Sequence, residues 1–412
     1  MLKIIFWICI FNVNFLFAKE RAIYLTLMHD PATSMMVHWV REDALGVPEI
    51  EYRVRGASQW LFKESSYGQI AGRTHKYTVE LIDLQPDTVY EFRIVGSEGL
   101  HQFRTLPLTL SRVVGIVIGG DAFGSLQMYR QMNAQVASLS PDFVVIGGDI
   151  AYANGTINMW QERKYALNRW LTFFEEWQRS MVTPEGRMIP LVPVVGNHDV
   201  RKSSTVFYKE FFGFQPEETS YFSLDVGNYL SLFLLDTGHI LPIAGPQTEW
   251  LTQTLASRED RLYTMAVYHV GAYPSYYSYN GSVPVELRSK WVPLFERYHL
   301  QAAFEHHSHA YKRTYPLKGG VVNPDGVLYL GDGSWGVPAR KPKGAWYLEK
   351  AEQKNAVFSL CFSQDSCEIT AIDPKGNQID HLTIQPHITH KKMILSGAVP
   401  SVTVTENNMF KD

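Results

Sequence analysis

The residues of this chain that can do chemistry stand at the ends of apolar runs. Asp121 closes RVVGIVIGGD, Asp149 closes PDFVVIGGD, Asn197 and His198 close the run in PLVPVVGNHD, and His269 closes LYTMAVYH. The tract EHHSHAY, with His306, His307 and His309, follows the apolar LQAAF. Taken singly, an Asp or Asn behind a strand is a helix cap or a turn residue. A succession of such polar ends argues for a shared site. Carboxylates, an amide oxygen and imidazoles form a hard-to-borderline donor set that suits iron, zinc or manganese and lacks the thiolates of a structural zinc site. The donors also outnumber what one ion needs. A carboxylate bridging two ions is the arrangement that clamps both oxygens of an in-line phosphoryl displacement, and Asp149 is the bridge expected here.

Such residues need elements that bring them together. Beyond Ser111, apolar strands alternate with longer helical patterns, as where Leu126, Tyr129, Val136 and Leu139 recur at helical spacing between two strands. Strand, helix, strand implies a right-handed crossover and a largely parallel sheet, whose strand carboxyl ends line one crevice. From extended backbone, His307 and His309 would point the same way and Ser308 the other. Ahead of this region, from about Ala22 to Thr105, the short alternating runs MMVHWV, IEYRV, HKYTVEL and VYEFRIV read as a small β-sandwich. Trp39 is its expected buried aromatic. Tyr90, shortly after a turn, is placed to bond back to the backbone through its hydroxyl. RTLPLT reads as a linker.

Composition narrows the classes further. With 412 residues, 45% hydrophobic and 13% aromatic, the chain can bury a large core in two or three domains. Its 38 basic and 41 acidic residues give a formal charge of -3, which offers no electrostatic case for nucleic acid as a main partner. The opening MLKIIFWICIFNVNFLFAKE reads as a signal peptide over 1–18, too short to span a bilayer comfortably, so the expected location is extracellular or periplasmic with no membrane segment after cleavage. Cys361 and Cys367 flank FSQDS and would form either a cross-hairpin disulfide or two buried free thiols. Asn154 and Asn280 begin the glycosylation acceptors NGT and NGS. From about 386 the sequence reads as a tail.

In order, GGDAFG, GGDIAY, GNHD, AVYH and HHSHAY resemble the five metallophosphoesterase blocks in the version found in purple acid phosphatases. The resemblance covers about 22–385, because such proteins pair the catalytic domain with an N-terminal fibronectin-like one. It implies an α/β catalytic domain over 111–385, a β-sandwich flanked by helices in αββα order, preceded over 22–106 by an all-β immunoglobulin-like or fibronectin type III sandwich. It implies a secreted acid phosphatase acting on small phosphate monoesters. A phosphodiesterase or nucleotide phosphatase is the alternative within the same chemistry, and an inert catalytic domain serving as a binding protein is the alternative of another class.

Most metallophosphoesterases carry a His two places after the first Asp, where this chain has Phe123. The resemblance supplies Tyr152 instead, and implies an iron(III) site of Asp121, Asp149, Tyr152 and His309. The second ion, zinc, iron(II) or manganese, would be held by Asp149, Asn197, His269 and His307. Iron-bound water would supply hydroxide at acid pH. His198 would be proton donor or phosphate contact, with Asp199 orienting its ring. His306 stands where the family usually has Gly, so it either crowds the backbone or adds a substrate-facing imidazole. The further histidines of plant-type relatives are replaced in HVGAYPSYYSYNGS by Ser, Tyr and Asn, which leaves leaving-group protonation to His198, His306 or water. Arg201 and Lys202 would lie in a solvated loop or attract phosphate, and His239 is not expected to be a ligand.

Overall fold

The computed structural model describes residues 20–42, 49–154, 159–200, 204–212 and 219–387. The expected signal segment, Arg201, Lys202 and the tail beyond 387 lie outside the described residues.

The N-terminal strands bury one face in the sandwich, and Ala22–Thr26, covered on both faces, is buried throughout. Ala22–Thr26, Met35–Glu42, Thr74–Leu81 and Ser66–Ala71 form one antiparallel layer, and Leu61–Glu64, Glu49–Val54, Val89–Ile94 and His101–Arg104 form the layer facing it. Their inner faces meet through Ile23, Leu25, Val37, Trp39, Tyr77 and Val79 on one side and Ile50, Phe92 and Phe103 on the other. Trp39 is fully buried and stacks on Tyr77, with ring centroids 5.5 Å apart. Tyr90 makes the expected return contact: its hydroxyl oxygen accepts from the Gln85 N–H at 2.8 Å.

The catalytic-size region is two mixed sheets face to face. In the first, Val114–Gly119, Phe143–Gly147 and Leu191–Val194 run parallel, and Val357–Phe362, Cys367–Ile372 and Gln378–Ile384 extend them antiparallel. In the second, Leu230–Leu235, Tyr263–Val270, Ala302–His306 and Leu328–Gly331 are the parallel centre. Phe222–Val226 on one side and Tyr311–Thr314 with Leu348–Glu352 on the other are antiparallel additions. The expected parallel sheet is thus only the middle of each layer: some outer strands return through hairpins, and others, such as Val357–Phe362 against Val114–Gly119, pair across long sequence separations. Ile116, Ile118, Val145 and Val192 pack against Leu232, Met265, Val267 and Phe304 between the sheets. Outside the first sheet lie Leu126–Ser138, Met159–Ser180 and Ser204–Phe212, contributing Tyr129, Trp170, Phe174 and Phe211. Outside the second lie Pro246–Ala256, Ser282–Lys290 and Val292–Arg297, contributing Leu251, Leu287, Trp291 and Phe295. The order of layers is αββα. Among the described residues no helix is long and apolar enough to cross a membrane.

Two sequence expectations change. RTLPLT does not tether an independent module, because Ala22–Thr26 pairs in parallel with Leu191–Val194 and makes one ten-stranded sheet of both regions. Helix Met159–Ser180 reinforces the seam: Tyr24 stacks on Phe174 at 3.8 Å, and the Ile23 N–H donates to Gln178 Oε1 at 2.8 Å. The buried Lys76 ammonium adds a bond of 2.6 Å to the Glu210 carbonyl in helix Ser204–Phe212. The cysteines do not pair either. Cys361 stands opposite Glu368 and Cys367 opposite Phe362, so the two side chains leave the hairpin on opposite faces. Both are free, Cys361 exposed and Cys367 buried.

Trp39→Ala should destabilise the protein by about 3–5 kcal/mol, the usual loss for truncating a buried Trp, read as a lowered urea midpoint. An unchanged midpoint would show that this sandwich does not share the cooperative core.

Candidate metal centre

The parallel strands of both sheets end at the same side of the molecule, which is where donors remote in sequence can meet. Asp121, Asp149 and Asn197 lie just past the ends of Val114–Gly119, Phe143–Gly147 and Leu191–Val194. From the facing sheet, Tyr263–Val270 carries His269, and Ala302–His306 leads into His307 and His309. The loops behind the first two strands are locked together by backbone bonds: the N–H groups of Asp121, Ala122 and Phe123 donate to the carbonyls of Gly148, Asp149 and Ile150 at 2.9–3.0 Å. Phe123 turns away from the donors into the helical layer, its ring 5.0 Å from that of Tyr129.

The backbone here is unusual. Asp121, Asp149, Tyr152, His307 and His309 all have left-handed conformations, with φ between 51° and 66°. Each costs roughly 1–2 kcal/mol for a residue with a Cβ, and such strain persists where the surroundings over-determine it. The geometric return is that the chain reverses within one residue and swings each side chain back over the strand ends. The expectation of extended backbone through His307 and His309 is therefore corrected. The strand stops at His306, and the two imidazoles reach the centre through left-handed turns instead. Gly196 permits a close approach, since a Cβ there would lie 2.1 Å from the Asp149 backbone N.

Two groups of donors result. On one side, Tyr152 Oη–H donates to Asp121 Oδ1 at 2.7 Å, and His309 Nε2 lies 2.7 Å from the same oxygen and 3.3 Å from the phenol. On the other, Asp149, His269 and His307 offer ligand atoms all within 4.8 Å of one another. Asn197 Oδ1 joins them, 3.0 Å from His269 Nε2. His269 Nδ1–H donates to the Gly147 carbonyl at 3.0 Å, which leaves Nε2 facing the centre. Asp149 Oδ1 accepts the His198 backbone N–H at 2.6 Å, and its Oδ2 is 3.2 Å from His269 Nε2.

Charge explains why these groups tolerate burial. Burial alone would raise the Asp121 carboxyl, but His309, His269 and His307 outweigh it and hold the group well below the usual carboxylate range. Burial likewise opposes a charged His269, yet Asp149 and then Asp121 raise it to about 9. His307 goes the other way, to about 4, through burial and the neighbouring His269. Burial, followed by Asp121 and Asp149, pushes the Tyr152 hydroxyl far up. His307 Nδ1 is buried with no hydrogen-bond partner, and Asp149 Oδ2 has only imidazole nitrogens beside it, His269 Nε2 at 3.2 Å and His198 Nε2 at 3.9 Å. Unsatisfied buried acceptors of this kind are what a cation would fill, so the donor set fits a metal pair.

The predicted catalytic residues are placed differently from expectation. The His198 side chain is 39% exposed and stacks on Tyr152 at 4.6 Å. Asp199 does not orient it: fully buried, that carboxylate accepts the N–H groups of Ile150, Ala151 and Gly196 and shapes the loop backbone. Asn154 holds the ring instead. Its Nδ2 donates to the Asn197 carbonyl at 3.0 Å, so its Oδ1 accepts from His198 Nδ1 at 2.7 Å and Nε2 faces the centre. Sequence reading had given Asn154 only a glycosylation motif. His306 is not substrate-facing. It is 1% exposed, its Nδ1 is 2.5 Å from Asp332 Oδ1, and it fills a slot that exists because a Cβ on Gly147 would lie 1.9 Å from the ring. Asp332 carries no motif that could have marked it. His239 stays outside the donor groups, its Nε2 engaged with Thr237 Oγ1 at 3.0 Å.

This fold and donor arrangement define a class. Residues 114–311 match the family described as Calcineurin-like phosphoesterase. Residues 21–106 match Purple acid Phosphatase, N-terminal domain, so the chain carries the two domains in the order that resembles purple acid phosphatases. Purple acid phosphatase 15 of Arabidopsis thaliana is 26% identical over 289 residues, covering 62% of this chain and 53% of the relative. Purple acid phosphatase 18 of the same plant is 25% identical over 318 residues, covering 73% of this chain and 68% of the relative. The chain thus spans little more than half the length of the first of these. Among solved structures, purple acid phosphatase PPD1 from yellow lupin seeds superposes with a TM-score of 0.73 at 17% identity, over 93% of this chain and 77% of that one, which supports the fold. The match to the phosphoesterase domain and the likeness to purple acid phosphatases imply a two-metal site.

In metal-stripped protein His269 should leave a pH signature. Its folded pKa, about 9, lies above the ordinary imidazole value of about 6.5, so its contribution is complete below pH 6.5 and lost as pH rises through 9. The loss should be about 3 kcal/mol in urea unfolding, and His269→Gln should flatten that part of the profile. A slope unaffected by the substitution would contradict the charge coupling.

Proposed function

We propose that this chain hydrolyses phosphate monoesters with two cations bound among its strand-end donors. Asp121, Asp149, Tyr152 and His309 would hold iron(III), and Asp149, Asn197, His269 and His307 would hold zinc, iron(II) or manganese. The observation that carries the reading is the buried carboxylate of Asp149, whose ligand atom lies within 4.8 Å of those of His269 and His307. When bound, the cations supply an acidified water as nucleophile and positive charge against the phosphoryl oxygens. Tyr152 favours a highly charged ion on its side, because only a strong Lewis acid would draw the proton from a hydroxyl so reluctant to ionise.

The chain's own proton chemistry centres on His198. With Nδ1–H given to Asn154, its Nε2 is the atom available to protonate a departing alkoxide, and its partial exposure keeps it in reach of substrate. His306 is too deeply buried to share that role. Work at acid pH agrees with a donor that must be protonated before it acts, and with an extracellular or periplasmic setting reached through the segment 1–18.

The test is metal analysis with a substrate panel across pH. An aryl phosphate monoester should be hydrolysed faster than a bis-aryl diester, and Asp149→Ala should fall below about one thousandth of the wild-type rate, equivalent to about 4 kcal/mol of transition-state stabilisation. Iron with a visible tyrosinate band, lost in Tyr152→Phe, supports the metal assignment. Undiminished turnover by Asp149→Ala would refute it.

A further inference from the structure

The wall of the cleft beyond His269 is not explained by the donor groups. Where sequence comparison led to an expectation of missing histidines, Tyr277 lays its ring flat on His307, with centroids 4.5 Å apart and planes 17° from parallel. Its hydroxyl accepts from Arg340 Nη1 at 2.5 Å. The guanidinium is also 3.5 Å from the His307 carbonyl, and the Arg340 backbone N–H donates to the His309 carbonyl at 2.6 Å. Arg340 is therefore fastened to both imidazole donors, from a segment that passes directly over the centre. A Cβ on Gly333, at the start of that segment, would lie 2.9 Å from Asp121 Oδ2.

The charge on this side chain is uncompensated. Among the described residues no carboxylate pairs with Arg340, and its Nε and Nη2 donors meet no acceptor. The flanking sequence adds cations only: from Gly333 to Tyr347 the ionisable groups besides Tyr347 are Arg340, Lys341 and Lys343. Tyr276 extends the platform, with the Arg340 guanidinium 5.1 Å and the Lys343 ammonium 5.0 Å from its ring. A half-buried Arg held at one nitrogen, its remaining fork free, has the geometry that recognises phosphate oxygens in pairs.

We infer that Arg340, positioned by Tyr277, binds the phosphoryl group beside the metals and selects the dianionic monoester over the monoanionic diester. The inference deepens the phosphoesterase reading and rests on it for the substrate.

The experiment uses full-length, metal-loaded protein and inorganic phosphate as probe, by calorimetry and as a competitive inhibitor. Arg340→Gln should weaken phosphate binding about 10–100-fold, as expected for a charged hydrogen bond, and raise KM for an aryl monoester more than it lowers kcat. The monoester-over-diester preference should shrink by a similar factor. Arg340→Lys keeps the charge but loses the fork, and should fall between; it also decides the matter if Arg340→Gln does not fold. Tyr277→Phe should weaken phosphate binding several-fold with metal content unchanged. Wild-type phosphate affinity in the Arg340 variants, equal losses for monoester and diester, or loss of metal in place of phosphate would overturn the assignment. If the wild type cleaves no ester, the phosphoesterase reading fails separately, while calorimetry with phosphate still decides the role of Arg340.

Discussion

The structure is organised around two carboxylates that have no access to water. Asp121 and Asp149 sit fully buried at the ends of neighbouring parallel strands, where two like charges in a low-dielectric setting are strongly unfavourable without compensation. In the chain itself that compensation comes from His309 and His269, both delivered from the opposite sheet. The stacking of the two sheets and the electrostatics of the centre are thus one problem. The five left-handed residues and the close approach at Gly196 are what the backbone contributes to its solution.

Beneath the donors lies a second polar layer. Asp332 and His306 face each other in full burial, under a floor thinned to glycine at Gly120 and Gly147. An imidazole in place of the family's usual Gly is accommodated because the opposing strand ends carry no side chains there. One step further along the second sheet, Glu305 accepts from Tyr268 Oη and from the Ala272 N–H, and pairs with Lys312. The lysine ammonium also donates to the Tyr273 carbonyl. That buried pair anchors the segment after His269, from which Tyr277 reaches His307. The rim is as firmly built as the donor shell.

The N-terminal sandwich has a mechanical part in this. Through Ala22–Thr26 it continues the sheet whose neighbouring strand, Leu191–Val194, leads directly to Asn197 and His198. Lys76 ties it to helix Ser204–Phe212, on the far side of the same loop. A domain joined in this way buttresses the loop that carries Asn197 and His198, which a flexible tether would not do.

Much of this was legible in the linear order of residues. Apolar runs ending in Asp, Asn or His marked the strand ends and their polar tips, because a strand needs only local alternation or local hydrophobicity to declare itself. Trp39 and Tyr90 were readable for the same reason, whereas Tyr152 was marked only by the resemblance of GGDIAY to a family block. What only the tertiary structure decided were pairings between segments far apart in the chain. Asn154 replaced Asp199 as the partner of His198, Asp332 met His306, Arg340 met Tyr277, and a sandwich strand entered the catalytic sheet. The cysteine pairing failed on register, which places Cys361 and Cys367 on opposite faces although they are close in sequence. Hydrophobic pattern is a property of neighbours along the chain, whereas a side chain's partner depends on crossing angles, turn handedness and sheet register, and those are settled only when the whole core packs.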